Sequence, residues 1–116
     1  MDSLKASDAT AAAVAVAQRV TLADIEGAIA HRYDTTGERA AQNAVDGVWP
    51  VDQLRILSIC LLVMKNGFTV IGHSAPASPE NFNADFGRDL AYQSAIRQLW
   101  PLMGFALRDK LALAGQ

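Results

Sequence analysis

The chain has 116 residues, of which 51% are hydrophobic and 19% are charged. This length predicts one domain, and the apolar fraction excludes a protein that is disordered throughout. The 10 basic and 12 acidic residues are scattered, with a formal net charge of −2, so the basic stripe typical of nucleic-acid-binding proteins is missing. The large apolar fraction also favours a homo-oligomer, because a partner covers the apolar surface that a small domain leaves exposed.

The first nineteen residues are an Ala-rich leader. An apolar stretch runs from Ala11 to Ala17, but the leader lacks the basic n-region of a signal peptide and carries Asp2 and Asp8. No segment has the roughly 18 consecutive apolar residues that a membrane span needs. We therefore predict a flexible leader over residues 1–19, with nascent helix at most, and no membrane association.

Residues 20–33 (VTLADIEGAIAHRY) have the periodicity of an amphipathic helix. Thr21 is a suitable N-cap, and Asp24 three residues later completes a capping box. The apolar side chains that share one face of this predicted helix are Leu22, Ile25, Ile29 and Tyr33. Residues 34–53 carry weaker signals with several helix breakers, and we interpret them as a variable linker.

The clearest local pattern is a β-hairpin. Two aliphatic segments, residues 54–64 and 68–74, flank the pair Asn66-Gly67. Both central residues of a two-residue type I′ turn need positive φ, which Asn and Gly tolerate best, so Asn66 and Gly67 are predicted to form the turn. The first strand is apolar on both faces, so both faces need cover, and a lone two-stranded ribbon is only marginally stable in water.

A long helix is predicted after the hairpin. Ser78 before Pro79 is predicted to cap it, and the sequence Trp100-Pro101 is predicted to kink or break it. The predicted fold class is therefore α+β, with an N-terminal helix, a two-stranded antiparallel hairpin with an Asn-Gly turn, and a long C-terminal helix kinked at Pro101. We expect a single domain over residues 20–113, assembled as a homo-oligomer that covers the second face of the hairpin.

Four short motifs follow one another in the second half of the chain. They are Lys65–Val70 (KNGFTV), Ser74-Ala75, Pro79–Phe82 (PENF) and Trp100–Leu107 (WPLMGFAL). With the first predicted helix, they resemble the gene product 49/gene product 66 family of small tailed-phage proteins over residues 20–113. The resemblance implies a phage or prophage origin and a location in the host cytoplasm, and it implies no established activity.

One segment departs from the family pattern. Where members typically read Glu-Ser-Ala-Cys after the second strand, this chain has His73-Ser74-Ala75-Pro76. Any role of that Glu or Cys in relatives therefore does not carry over to this chain.

The pair Cys60 and His73 resembles a nucleophile with its base, because the predicted hairpin register places the two residues opposite each other. A reactive thiolate needs an electropositive, partly exposed setting, whereas Cys60 lies between Ile59 and Leu61. Structural packing is the favoured interpretation, and two ligands do not make a metal site. We predict no catalytic residue, no metal site and no cofactor, and hence no enzyme.

Polar residues gather where the long helix is predicted to begin. The candidate binding surface comprises Asn81, Asn83, Asp85, Arg88 and Trp100. Structural roles are the favoured alternative, since acidic residues suit the positive end of a helix dipole and a Trp beside a helix break commonly fills a core.

Three functions remain open at this point. The leading hypothesis is a non-enzymatic phage accessory protein that binds a host protein, a defence factor being one candidate. The second is an oligomer that binds a small nucleotide or signal molecule at subunit interfaces, with Trp100, Arg88 and the Asn side chains as contacts. The third is association with nucleic acid, against which the missing basic stripe argues.

Overall fold

The computed structural model describes residues 2–15, 17–44, 46 and 52–115. The helices are α1 (Asp2–Val14), α2 (Leu22–Gly27), α3 (Gly37–Gln42) and α4 (Ala84–Ala114), and the strands are β1 (Ile29–Thr36), β2 (Ser58–Met64) and β3 (Thr69–Ser74). Short 3₁₀ helices occupy Asp52–Ile56 and Pro79–Asn81. The α+β class predicted from the sequence is confirmed.

The helix predicted over residues 20–33 is correct only in its first half. The Thr21 hydroxyl accepts a hydrogen bond from the Asp24 N–H at 3.0 Å, and the Asp24 carboxylate accepts one from the Thr21 N–H at 2.9 Å, so the capping box forms. The helix ends at Gly27, and Ile29 begins β1 instead of a third helical turn. Pairing with β2 satisfies the backbone groups of this segment that face β2, and this tertiary contact outweighs the helical spacing of its apolar residues.

The three strands form one antiparallel sheet in the order β1-β2-β3. The predicted hairpin is β2 and β3, but its turn type is wrong. Gly67 has φ +89°, whereas Asn66 is not among the described residues with positive φ, so the loop has three residues, with Gly67 in the left-handed region. The Met64 N–H donates to the Phe68 carbonyl at 2.8 Å, and the Asn66 carboxamide accepts from the Phe68 N–H at 2.9 Å.

This longer loop shifts the register of β3 by one residue from the prediction. Cys60 lies opposite Gly72, and His73 lies opposite Ile59. Because side chains alternate between faces, the shift exchanges the two sets of β3 side chains. The inner face of the hairpin is formed by Ser58, Cys60, Leu62, Met64, Val70 and Gly72.

Helix α4 packs on the inner face at very short range, and Gly72 is the reason it can. A Cβ atom at Gly72 would overlap the Ala91 carbonyl and come within 2.9 Å of the Ala95 Cβ. Only a glycine on the strand and alanines on the helix leave room for this crossing. The close approach therefore explains why the register with Gly72 facing inward is preferred over one that would place Ile71 there.

The core lies between the inner face and α4. Its buried hydrophobic members are Leu4, Leu22, Ile25, Cys60, Leu62, Met64, Val70, Ala91, Tyr92, Ala95, Ile96 and Leu99. Leu4 belongs to α1, so the segment predicted as a flexible leader contains a formed helix that contributes to this core. An ion pair of 2.8 Å between Asp8 and Arg19 ties the end of the leader back to α1.

Residues 34–53, interpreted as a linker, are partly regular. Residues 34–36 complete β1, and α3 and the first 3₁₀ helix follow. Residues 45 and 47–51 of this segment lie outside the described residues.

Helix α4 begins later than predicted and, as predicted, continues beyond Pro101, to Ala114. The predicted cap, Ser78, precedes a 3₁₀ helix, and Asn83 caps α4 instead, accepting a hydrogen bond from the Phe86 N–H at 3.0 Å. The helix includes Pro101 in its interior, so it does not break there. Residues 108–115, at the end of α4, are all exposed. The radius of gyration is 17.3 Å, whereas a compact chain of this size has a radius of gyration of about 13 Å.

Candidate functional site

The structure brings together most of the polar residues proposed as a binding surface. Asn83 caps α4, Asp85 and Arg88 form an ion pair one turn further on, and Asn81 ends the preceding 3₁₀ helix. Asn81 and Asn83 line a cleft of about 250 Å³ beside Phe82. The amide of Asn83 and the guanidinium of Arg88 are therefore already engaged in local structural contacts.

Trp100 does not belong to this cluster. It lies twelve residues beyond Arg88 on the same helix, which corresponds to about 18 Å along the axis. Its ring is partly buried against the core, and its Nε1–H donates to the Val20 carbonyl at 3.3 Å. Within one chain, Trp100 and Arg88 therefore cannot contact the same small ligand.

Arg88 lines a second cavity, of about 150 Å³. Arg39 also lines it, as do the residues Asp34 and Thr36 of β1 and the buried Ser58 of β2. Two guanidinium groups and two hydroxyls suit a small anion. The pairing of Arg88 with Asp85 and the presence of Asp34 in the wall reduce the positive charge available to such a ligand.

The pair Cys60 and His73 is not a catalytic pair. Cys60 is 0% exposed on the inner face, whereas His73 is exposed on the opposite face of the sheet. Burial raises the pKa of the Cys60 thiol, which disfavours the reactive thiolate. The error in the predicted register is what brought these two residues together.

Sequence reasoning expected a second hairpin face in need of cover but did not identify its residues. This face is the outer side of the sheet, which we call the open face. It consists of three cross-strand rows, His31-Val63-Thr69, Tyr33-Leu61-Ile71 and Thr35-Ile59-His73. Helix α4 packs on the inner side, and the side chains in the middle of the outer side are exposed. The rows depend on β1 and on the true register of β3, and neither was available from the sequence.

The middle row of the open face consists of one aromatic and two aliphatic side chains. Tyr33 is 57% exposed, Leu61 37% and Ile71 58%. Directly opposed side chains on neighbouring strands have Cβ atoms about 4.5–5.5 Å apart, so the three side chains form one contiguous patch. Histidine and threonine side chains occupy the ends of the flanking rows, which gives the patch an apolar centre and a polar rim.

A further apolar groove of about 430 Å³ lies between the hairpin turn and α4. Met64 and Phe68 line it on the hairpin side, and Leu99, Leu102 and Met103 on the helix side. Phe105, on the adjoining turn of α4, is 72% exposed. The groove and the open face are thus separate apolar surfaces on opposite sides of the hairpin.

In the part of the chain that the structure describes, no three His, Cys, Asp or Glu side chains lie together in an arrangement that holds a metal ion. No helix within the described ranges is both long enough and apolar enough to cross a bilayer.

Comparison with known families assigns the chain. A family model described as "Phage protein (N4 Gp49/phage Sf6 gene 66) family" matches residues 20–111, which is most of the chain and includes α2, α3, the sheet and nearly all of α4. Comparison with curated proteins and with solved structures finds no match. The chain therefore belongs to the phage protein family of N4 Gp49 and phage Sf6 gene 66.

Proposed function

We propose that this phage protein is a non-enzymatic accessory protein that acts in the host cytoplasm by binding a host protein through the open face. The observation that carries the proposal is the apolar row Tyr33-Leu61-Ile71, which is exposed in a single copy of the chain. Soluble proteins rarely leave contiguous apolar patches uncovered unless the patch serves an interaction.

The composition of the open face supports a protein as the ligand. Protein interfaces have an apolar core rich in aromatic and large aliphatic side chains, surrounded by a polar rim. Tyr33 has the large, rigid, amphipathic side chain that is common among residues dominating binding energy. The flanking His31 and His73 provide hydrogen-bonding groups at the rim.

The family provides the setting for this partner. A phage protein is made among the proteins of the infected cell. Host defence factors are one class of target, because a phage benefits when such a factor is bound and blocked. A small apolar sheet face without a catalytic cluster supports binding as its mode of action, since occupancy alone can block a target.

The proposal is tested with a pair of variants that each place a lysine on an exposed apolar position. Ile71→Lys alters the open face, and Phe105→Lys alters α4 outside that face. Tagged protein captures candidates from host lysate, and each candidate is then purified and its affinity for the chain measured directly. We expect Ile71→Lys to weaken binding at least tenfold, or about 1.4 kcal/mol, and Phe105→Lys to leave it unchanged. A partner that binds both variants equally, or the lack of any direct partner, would contradict the proposal.

A second candidate function is the binding of a small nucleotide or signal molecule. The cavity between Arg39 and Arg88 favours it, because guanidinium groups bind phosphates bidentately. The separation of Trp100 from Arg88 removes the base-stacking contact within one chain. A thermal-shift screen with nucleotides and cyclic dinucleotides tests this function. A shift that Arg39→Ala abolishes would support it, and the lack of any shift would rule it out.

A further inference from the structure

We propose that two copies of the chain associate through the exposed edge of β1, in an antiparallel pairing centred on Tyr33, to form a continuous six-stranded sheet. The pairing does not depend on the proposed host protein. It would place the two open faces side by side on one surface.

The two edges of the sheet differ in their hydrogen bonding. At the β3 edge, the Gln98 side chain donates to the Ile71 carbonyl at 2.7 Å, and the Ser94 hydroxyl accepts from the His73 N–H at 3.2 Å. Side chains of α4 are therefore hydrogen-bonded to outward-pointing backbone groups of β3. A strand from another chain cannot pair there without displacing these side chains.

The β1 edge has no such cover within the described residues. The Gly37 N–H donates to the Leu57 carbonyl at 2.9 Å, so Gly37 and Leu57 are a hydrogen-bonded pair. Because such pairs alternate along antiparallel strands, the odd-numbered residues of β1 direct their backbone N–H and C=O groups toward β2. The N–H and C=O groups of Arg32 and Asp34 therefore point outward, and no described group bonds to them. Residues 30–34 are all exposed. Unpaired strand edges of this kind are templates for pairing with another strand.

The charged side chains of β1 favour β1 of a second copy as the strand that pairs at this edge. Arg32 and Asp34 lie on the inner side, where their charged groups approach to 3.1 Å and the Arg32 guanidinium lies 4.2 Å from the Tyr92 ring centroid. In an antiparallel pair centred on Tyr33, each Arg32 is opposite the other copy's Asp34. Opposite charges directly across a strand pair stabilise it, and like charges destabilise it. The alternating charges thus favour this register over a shift by two residues, which would place like charges opposite each other.

The open face is also self-complementary in this register. Tyr33 meets its symmetry mate at a pair without hydrogen bonds, where the side chains approach most closely. Aromatic pairs at such positions contribute to sheet stability. His31 is then opposite Thr35 of the other copy, so two polar side chains pair with each other on either side of the two tyrosines.

Charge exchange tests the pairing. Molar mass in solution is measured by light scattering at matched concentrations for the wild type, Arg32→Asp, Asp34→Arg and the double variant carrying both changes. We expect dimers for the wild type and the double variant and monomers for each single variant. Circular dichroism checks that the single variants fold. A monomeric wild type would overturn the proposal, as would single variants that remain dimeric.

A disulfide test reports the register itself. Both variants are made in a Cys60→Ala background, so that each has one thiol. We expect Tyr33→Cys to form a covalent dimer under mild oxidation, because the two thiols are adjacent at the symmetry axis. Thr35→Cys should remain monomeric under the same conditions, since its two copies would lie about 14 Å apart along the strands. Cross-linking through Thr35→Cys but not through Tyr33→Cys would overturn the proposed register. Neither test involves a host protein, so the outcome is independent of the proposed function.

Discussion

The side-chain amide of Gln98 donates a hydrogen bond of 2.7 Å to the backbone carbonyl of Ile71. This contact joins the middle of α4 to the outer edge of β3. It holds the strand in the register that directs the Ile71 side chain to the open face. Among the residues that the structure describes, β1 is then the edge without cover.

The first prediction concerns this hydrogen bond. Gln98→Ala removes the donor, and we expect the free energy of unfolding to fall by about 1 kcal/mol, the usual net worth of such a bond. Urea denaturation measures the change. Lys110→Ala, at an exposed position near the end of the same helix, is the control and should change stability little. Equal effects of the two substitutions would show that the bond does not stabilise the sheet edge.

The second prediction compares two glycines. Gly72→Ala places a Cβ against backbone atoms of Ala91 and Ala95, which cannot rotate away, and we expect a loss of about 3 kcal/mol or a failure to fold. Gly104→Ala places a Cβ in open space within α4, and we expect a gain of about 0.5–1 kcal/mol from helix propensity. Thermal and urea unfolding measure both. A neutral Gly72→Ala would contradict the close crossing of helix and sheet.

The third prediction concerns Cys60. The thiol is buried and its pKa is raised, so we expect it to react with a thiol reagent only when the protein unfolds. The rate of modification should increase with urea in parallel with the unfolded fraction. Ile71→Cys in a Cys60→Ala background provides the control, because an exposed thiol should react at once without denaturant. Fast modification of native Cys60 would show that the inner face is accessible.

The fourth prediction concerns Tyr92. Burial, followed by the negative charge of Glu26 and the hydrogen bond of 3.1 Å that the phenol donates to the Glu26 carboxylate, raises the pKa of Tyr92 from 10.0 to about 12. The folded state thus retains the phenol proton in a range where the unfolded state loses it. The resulting stabilisation is complete below pH 10 and is lost as the pH rises from 10 to about 12.

The ultraviolet absorbance of tyrosinate measures this pKa directly. Tyr33→Phe leaves Tyr92 as the one tyrosine, because the chain has two. We expect the titration of this variant to be displaced upward, and Glu26→Gln added to it should lower the pKa of Tyr92 part of the way, since burial remains. An unshifted titration of Tyr92 in the folded protein would contradict its burial against α2.

The sequence is sufficient for elements whose signals are local. The capping box at Thr21 and Asp24 and the hairpin around Asn66-Gly67 require only neighbouring residues, and both form. Strand β1 could not be predicted in this way. Ile29 and Tyr33 continue the helical spacing of the preceding residues, and only their pairing with β2 determines that they form a strand.

The candidate site was harder to predict for the same reason. The sequence places Asn83 and Arg88 near each other, but it does not reveal that Asn83 is needed to cap α4. The open face requires the register of β3, which depends on whether the loop has two or three residues. That choice is decided by the close contact of Gly72 with α4, which is distant in sequence and invisible to any local pattern.

Site-specific photo-cross-linking in host cells tests most directly the claim that the open face binds a host protein. A photoreactive amino acid replaces Ile71 in the middle row of that face or, as the control, Arg108 on the exposed part of α4. We predict a covalent adduct with a host protein from position 71 and none from position 108. An adduct from position 108 alone, or none with any host protein from position 71, would contradict the account.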